Sequence, residues 1–500
     1  MKTWGVRWLR LMTAVVLAAS SAPEILAQET PGERLPVHEI ALDNGMRFLV
    51  LHRSGAPTVS FVAQVAVGGI NERPGTTGIA HLLEHLLFKG TSTIGTRDVA
   101  AERVLFARMD AVYDSLLLAR GRGDPTSELE GRIETLEDSA AAYVVPNEFD
   151  RILTEAGARG LNATTTHDAT TYFVELPANR AELWFALESD RMRDPVFREF
   201  YAERDVVIEE RRLRIDASPA GSLAEAHGAA AFTVHPYGQP VAGLLDDLRA
   251  LTRREVEAYY RRYYGPNNVV VAIVGDIDPL QAEAWARRYF ADIPRGDDPP
   301  AVVAEEPVQR AERRVTVEWD AEPRVRIGWH IPSIHHADDP PIAVLGALLT
   351  GGRTSRLQRR LVMDERIATG TSAFTGPGDR QPRLFIIDAL PRSPHTTEEV
   401  ERAIYEEIAR LAAEGPTADE LERVRNQIAA GNVRRIGSNL GLAFQLSASE
   451  SLGDDWRWTF REAERLSAVS AEDVQRVAST YLTEANRTVA TLVRRRVSSR

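Results

Sequence analysis

The 500-residue sequence predicts an α+β protein built from two homologous α/β halves. Three features carry that prediction: strand-like and helix-like apolar periods alternate along the chain, one helix-to-strand segment recurs, and a proline-rich stretch falls between the copies. The recurring segment is Leu251-Thr252-Arg253-Arg254-Glu255-Val256, then Tyr263 and Asn268-Val269-Val270. It is echoed by Val469-Ser470-Ala471-Glu472-Asp473-Val474, then Tyr481 and Asn486-Arg487-Thr488-Val489. Each copy opens with a capping-box pattern before a helix that leads into a strand. A chain of this length also exceeds what one core can serve.

Taken in order, residues 1–27 read as a secretory signal. Lys2, Arg7 and Arg10 precede the apolar run Leu11 to Ala19, with a cleavage position after Ala27. That run is too short to span a bilayer, and the expected destination is the periplasm. The first half is expected over 34–292. Val37 to Leu51 alternates and turns at Asp43-Asn44-Gly45, a β-hairpin, and Thr58 to Val67 is a further strand. Gly75 to Phe88 is helical, entered through Gly78. Arg97 to Tyr143 holds two charged, alanine-rich helical patterns parted by Gly121-Arg122-Gly123-Asp124-Pro125, an inserted helical hairpin. Asn162 to Pro177 reads as a strand, Ala181 to Met192 and Glu199 to Ile215 as helices, and Asn268 to Asp276 as a strand buried on both faces. A linker over 293–309, carrying Pro294, Pro299, Pro300 and Pro307, leads into the second half, 310–500.

A formal charge of −12 argues against a nucleic-acid binder, which needs a basic surface. Of the 60 basic residues only Lys2 and Lys89 are lysine, a bias toward arginine. The absence of cysteine means that any metal must be held by His, Asp and Glu.

His81-Leu82-Leu83-Glu84-His85 is the informative pentapeptide. Positions i and i+4 of a helix share a face, so the two imidazoles can converge on one cation while Glu84 borders the same face. Neutral imidazole suits Zn²⁺, and a carboxylate beside an open coordination position can serve as general base toward water. A catalytic zinc usually takes three protein ligands, so one more donor must come from elsewhere. On the later helix Glu203 and Glu210 stand two turns apart on one face, whereas Glu209 points away. The same charges would also suit ordinary surface ion pairs.

The inverted motif is that of the inverzincins, and the surrounding sequence resembles the pitrilysin or insulinase family, in particular its processing-peptidase-like branch of half-length chains. Gly78 to Thr91, Asn162-Ala163-Thr164-Thr165, Glu203 to Glu210, His235-Pro236-Tyr237-Gly238, and Tyr264-Gly265-Pro266-Asn267-Asn268 through Gly275-Asp276 carry the resemblance, in the family's order. It implies two domains, each a mostly antiparallel sheet with helices packed on one face. It implies one zinc ion on His81, His85 and Glu210, Glu84 as the base, and Glu203 as the acid that orients the site. The separation of His85 from Glu210 exceeds the family's usual one, and the inserted hairpin accounts for the excess.

The family binds extended peptides along an exposed strand, and Asn162, Ala163 and Thr165 match its start; a plain structural strand accounts for Asn162 equally well. Around Gly351 to Leu357 the second half resembles the start of the family's C-terminal helix, after which active partners carry an Arg and then a Tyr that stabilise the reacting carbonyl. Val362 and Thr369 stand at those positions, and neither donates a charge-assisted hydrogen bond. The resemblance therefore implies a zinc-dependent endopeptidase acting on peptides or unfolded segments, in a homo- or heterodimer whose related zinc-free subunit supplies the Arg and Tyr. A non-catalytic scaffold and a peptide-binding subunit are the rival readings. An intact His-x-x-Glu-His with both distal glutamates speaks against the scaffold, which needs no metal site, and Glu84 speaks against the binding subunit, since binding alone requires no base.

Overall fold

A computed structural model describes residues 35–453 and 455–495. The expected signal lies outside the described residues. Among them no helix is long and apolar enough to cross a membrane.

The first sheet is made of β1 (His38–Ala41), β2 (Arg47–His52), β3 (Thr58–Val65), β4 (Arg159–Thr165), β5 (Thr170–Pro177) and β6 (Val269–Gly275), in the order β1-β2-β6-β3-β5-β4. Only β2 and β6 pair in parallel. The β1–β2 turn falls where Asp43-Asn44-Gly45 predicts it. Asn44 is buried and its amide donates to Phe290 O (2.8 Å) and Ile293 O (2.9 Å), anchoring the hairpin to the end of the half.

The segment expected as one strand over Asn162 to Pro177 is two, β4 and β5, running antiparallel. Its turn, Thr166-His167-Asp168-Ala169, contains no Gly or Pro. The Thr166 hydroxyl closes it instead, accepting from Asp168 N and Ala169 N and donating to Ala169 O.

Among the described residues ten helices accompany this sheet: α1 (Ile79–Leu86), α2 (Val99–Arg122), α3 (Ser127–Ala141), α4 (Glu148–Glu155), α5 (Ala181–Arg193), α6 (Phe200–Arg211), α7 (Pro219–Ala231), α8 (Leu245–Ala250), α9 (Arg253–Tyr263) and α10 (Pro279–Phe290). The expected hairpin insertion is α2 with α3. Its apolar stripe, including Phe106, Met109, Tyr113, Leu116 and Ile133, joins the same core as Phe48, Phe61, Trp184, Phe185 and Phe290. α6 runs past Arg211 into a π-type turn, Arg212–Asp216.

The second sheet comprises β7 (Arg313–Trp319), β8 (Arg324–Ile331), β9 (Ala368–Gly376), β10 (Arg383–Pro391) and β11 (Arg487–Arg494), in the order β7-β11-β8-β10-β9. Again a single pair, β7 with β11, is parallel. The order reproduces that of the first sheet without β1. The remaining helices are α11 (Asp339–Thr350), α12 (Thr397–Glu414), α13 (Ala418–Gly437), α14 (Asn439–Gly453), α15 (Trp458–Ala468) and α16 (Ala471–Tyr481). The repeat extends to hydrogen bonds. Thr252 with Glu255 and Ser470 with Asp473 form capping boxes, and Asn268 Nδ2 donates to Tyr263 O as Asn486 Nδ2 donates to Tyr481 O, each at 2.8 Å.

Each sheet packs its own helices on one face, and a helix of the other half covers the opposite face. Leu442, Ala443 and Leu446 of α14, with Trp456, bury Leu49, Leu51, Val62, Val270, Ala272 and Val274. Leu223 of α7 packs on Ala490 and Leu492 of β11. This exchange is why β6 is buried along its whole length. Residues 297–311 form no regular element, yet they are pinned: Glu306 accepts from the backbone N–H groups of Thr233, Val234 and His235. Asp168, in the β4–β5 turn, bridges the halves by accepting from Tyr237 Oη (2.6 Å) and from Asp379 N and Arg380 N.

Candidate metal centre

Two helices build the site. Gly78, at φ 87°, starts α1 in a conformation that suits glycine, and a Cβ there would meet Leu248 at 2.6 Å. With no side-chain cap of its own, α1 borrows one: Glu72 accepts from Gly78 N (2.9 Å) and Ala80 N (3.0 Å). Ile79, Leu82, Leu83 and Leu86 anchor α1 in the core. That anchoring turns His81 and His85 toward α6.

The two imidazoles stand with ring centroids 4.9 Å apart and planes near perpendicular. His81 Nε2 lies 3.7 Å and His85 Nε2 3.4 Å from the same oxygen, Glu210 Oε2. Donor atoms of the three residues fall within 4.8 Å of one another. A tetrahedral zinc with bonds of about 2.0–2.2 Å spaces its donors roughly 3.3–3.6 Å apart. The separations are thus close to what such an ion needs, and the donor set of two imidazoles and a carboxylate suits it. The other Glu210 oxygen is held at 2.8 Å by Arg214, one turn on.

Burial, reinforced by His85, pushes His81 down to about 4, so this ring is neutral and able to ligate at ordinary pH. Its Nδ1 is buried without a partner. His85 differs: burial disfavours its charged form, but the hydrogen bond with Glu203 and the nearby carboxylates outweigh that and raise it. Glu203 Oε2 lies 3.4 Å from His85 Nδ1, while Lys89 Nζ lies 2.5 Å from Glu203 Oε1 and 3.0 Å from Glu199 Oε2. These partners prevail over burial and lower Glu203.

Glu84 is nearly buried, and that burial raises its carboxyl above the usual range. Its Oε2 accepts a 2.5 Å hydrogen bond from Thr165 Oγ1, at the end of β4. β4 is the edge of the first sheet and pairs only with β5. Ala163 and Thr165 share one face of it by strand alternation, and Asn162 takes the other. Asn162 is exposed, and its side-chain oxygen accepts from Ala163 N.

The structure thus gathers His81, His85, Glu210, Glu84, Glu203 and Thr165 and leaves the Asn162 side chain out. Val362 packs against the second core from a π-type turn, Gln358–Asp364, and Thr369, exposed on β9, donates to Leu390 O (3.3 Å). Sequence reasoning passed over Lys89, Arg214 and Glu72. The arginine bias, which makes Lys89 the exception, was the one signal that could have raised it.

The family description "Insulinase (Peptidase family M16)" matches residues 47–104 and 139–244, and "Peptidase M16 inactive domain" matches 250–428. The gap between 104 and 139 falls inside the α2–α3 hairpin. The zinc protease PqqE of Helicobacter pylori is 25% identical over 98% of this chain and 100% of its own. The probable zinc protease PqqL of Escherichia coli is 26% identical over 77% of this chain, which spans 37% of that longer protein. Among solved structures, a protease from Helicobacter pylori superposes with a TM-score of 0.77 at 24% identity, covering 91% of this chain and 99% of that one. A putative M16-like peptidase from Alicyclobacillus acidocaldarius gives 0.69 at 18%, covering 92% and 98%. With both halves matched in order and the fold shared end to end, the chain belongs to the insulinase family, peptidase family M16.

Proposed function

We propose that this chain is a zinc-dependent endopeptidase in which His81, His85 and Glu210 hold one zinc ion and Glu84 is the general base. The observation that carries the reading is the convergence of both Nε2 atoms on Glu210 Oε2, with the Glu84 carboxylate bordering them. When bound, the ion supplies Lewis-acid chemistry, polarising a peptide carbonyl and acidifying water.

The protein's own groups do the rest. Glu84, shielded from bulk water, takes a proton from the attacking water and returns it to the leaving amine nitrogen. Thr165 fixes Glu84 Oε2 on the β4 side, and Glu203 orients the His85 ring through Nδ1. The free edge of β4 offers backbone N–H and C=O groups to an extended peptide, so Asn162, Ala163 and Thr165 contribute mainly main chain to recognition.

The chain is organised as a zinc-binding half, 34–292, a connector, 293–309, and a second half, 310–500. It is exported to the periplasm, in keeping with its likeness to PqqL of Escherichia coli, which is described as a periplasmic protease. Because Val362 and Thr369 supply no charge-assisted hydrogen bond to an oxyanion, it works as a homo- or heterodimer with a related zinc-free subunit that does.

Zinc content and cleavage of an unfolded peptide, measured for wild type and Glu84→Gln with and without a co-expressed related subunit, test the reading. Expected are stoichiometric zinc in both, cleavage only for wild type, and strong cleavage only with the second subunit. Unchanged cleavage by Glu84→Gln removes Glu84 as base, and full activity of the chain alone removes the division of labour.

A further inference from the structure

We propose that Lys89 is a positioning residue for the metal centre, acting on His85 through Glu203; the inference rests on the zinc site proposed above. The geometry divides the Glu203 carboxylate between two partners. Oε1 is 2.5 Å from Lys89 Nζ, and Oε2 is 3.4 Å from His85 Nδ1. An anchored Oε1 denies the carboxylate free rotation, so Oε2 stays against Nδ1 and the opposite nitrogen of the ring faces Glu210. Partners of this kind decide how tightly an imidazole holds a metal.

Two further observations single out Lys89. It is the only lysine among the described residues, in a chain whose 60 basic residues are otherwise arginine except Lys2. Where a surface cation suffices, this chain uses arginine. An ammonium is a compact point charge that fits end-on between two carboxylates, whereas a guanidinium is a broad planar fork. Lys89 occupies such a position, mostly buried, with Glu203 on one side and Glu199 at 3.0 Å on the other. Glu199, moreover, adopts φ 55°, a left-handed backbone that strains a residue with a Cβ. It stands at the N-cap of α6 yet caps nothing with its side chain. Its carboxylate is committed to Lys89 instead.

The test uses the full chain as wild type, Lys89→Met, Glu203→Gln and the double variant, stripped of metal and titrated with zinc against a competing chelator. Lys89→Met is expected to weaken zinc binding about 10-fold or more, with thermal unfolding of the zinc-free chain little changed. Should Lys89→Met fold poorly, Lys89→Gln carries the same expectation. Because Lys89 acts through Glu203, the double variant should bind zinc no more weakly than Glu203→Gln alone, a non-additivity that a merely structural role does not produce. Zinc binding by Lys89→Met within about two-fold of wild type, or losses that multiply in the double variant, overturn the inference. His85→Ala separates the two readings. If it binds zinc as tightly as wild type, the proposed site itself fails, and if only the Lys89 variants do, Lys89 alone fails.

Discussion

Arg198 offers the sharpest test of how the loop after α1 is held. Its guanidinium has five N–H groups and all five are used: Nε and Nη2 reach the two oxygens of Glu102 at 3.2 Å, Nη1 reaches Lys89 O and Ile94 O, and Nη2 also reaches Thr91 O. Arg198 is 1% and Glu102 0% exposed. Around this cation the chain needs glycine: Gly90 and Gly95 have φ of 95° and 84°, and a Cβ on either would crowd Arg198 Nη1 at 3.1 and 2.9 Å. Replacing Arg198 by Met leaves the Glu102 carboxylate buried without a cation and the Lys89 and Thr91 carbonyls without their donor, while Ile94 O keeps the Thr91 N–H. Breaking a buried pair in this way costs about 3–5 kcal/mol. At about 2–4 °C per kcal/mol for a unit of this size, the melting temperature should fall by roughly 6–20 °C. Far-UV circular dichroism of the zinc-free chain reads this directly. Arg198→Met/Glu102→Leu, which buries no charge at all, should be more stable than Arg198→Met alone, because the unpaired carboxylate and not the lost contact dominates the penalty. A loss below about 1 kcal/mol for Arg198→Met, or a double variant whose destabilisation is the sum of the two single ones, would refute the argument.

Burial pushes Glu306 up, but the N–H groups of Thr233, Val234 and His235 and the Thr233 hydroxyl outweigh it and hold the carboxyl at about 2. Its folded value lies below the ordinary 4.5, so its stabilisation is present above pH 4.5 and lost as pH falls toward 2. Glu306→Gln should lower stability at neutral pH and flatten the acid limb of a denaturation profile; an unchanged limb contradicts this. Thr165→Val should lower kcat by roughly 10-fold in a cleaving preparation with zinc content unchanged, whereas loss of zinc would show that Thr165 supports the metal site and not the base. Zinc at about 100 times its Kd should stabilise the stripped chain by about 2.7 kcal/mol, and His81→Ala should abolish that gain; equal stabilisation of the variant places the ion elsewhere. Trp456→Ala empties the seam between α14 and the first sheet and should cost about 3–5 kcal/mol, parting one calorimetric transition into two; a single transition at the original temperature argues against the exchange as a coupling device.

How much of this could be read from residues alone follows the range of the forces involved. The β1–β2 hairpin, α1, the α2–α3 insertion and α6 are governed by local rules, namely turn residues, caps and apolar periods, and each lies where those rules put it. The β4–β5 turn escaped because Thr166 supplies by one hydroxyl what Gly or Pro usually announces. The exchange of α7 and α14 between the halves escaped for a different reason. Three polar residues of α14, Ser447, Ser449 and Glu450, are buried, so its sequence carries no clean amphipathic stripe, and only long-range packing shows which sheet it serves. The imidazole pair was legible because α-helical spacing alone brings i and i+4 together. The Thr165–Glu84 and Lys89–Glu203 contacts were not, since each joins elements distant in sequence.

The two halves share a topology and differ in chemistry, and the difference can be located. In the first sheet β3 leads to α1 with its two histidines; in the second, β8 leads to α11, whose Ile342, Val344, Leu345, Leu348 and Leu349 are all buried apolar residues. A helix in the same topological place thus carries no histidine, and its one charged residue, Asp339, pairs with Arg383. Among the described residues no metal-ligating cluster falls in the second half, and its α14 crosses to the first sheet, where it packs on β3 and β6. The asymmetry therefore assigns different work to two copies of one fold. The first leaves β4 as an unpaired edge beside the candidate metal centre, and the second supplies apolar packing to β2, β3 and β6 of that sheet.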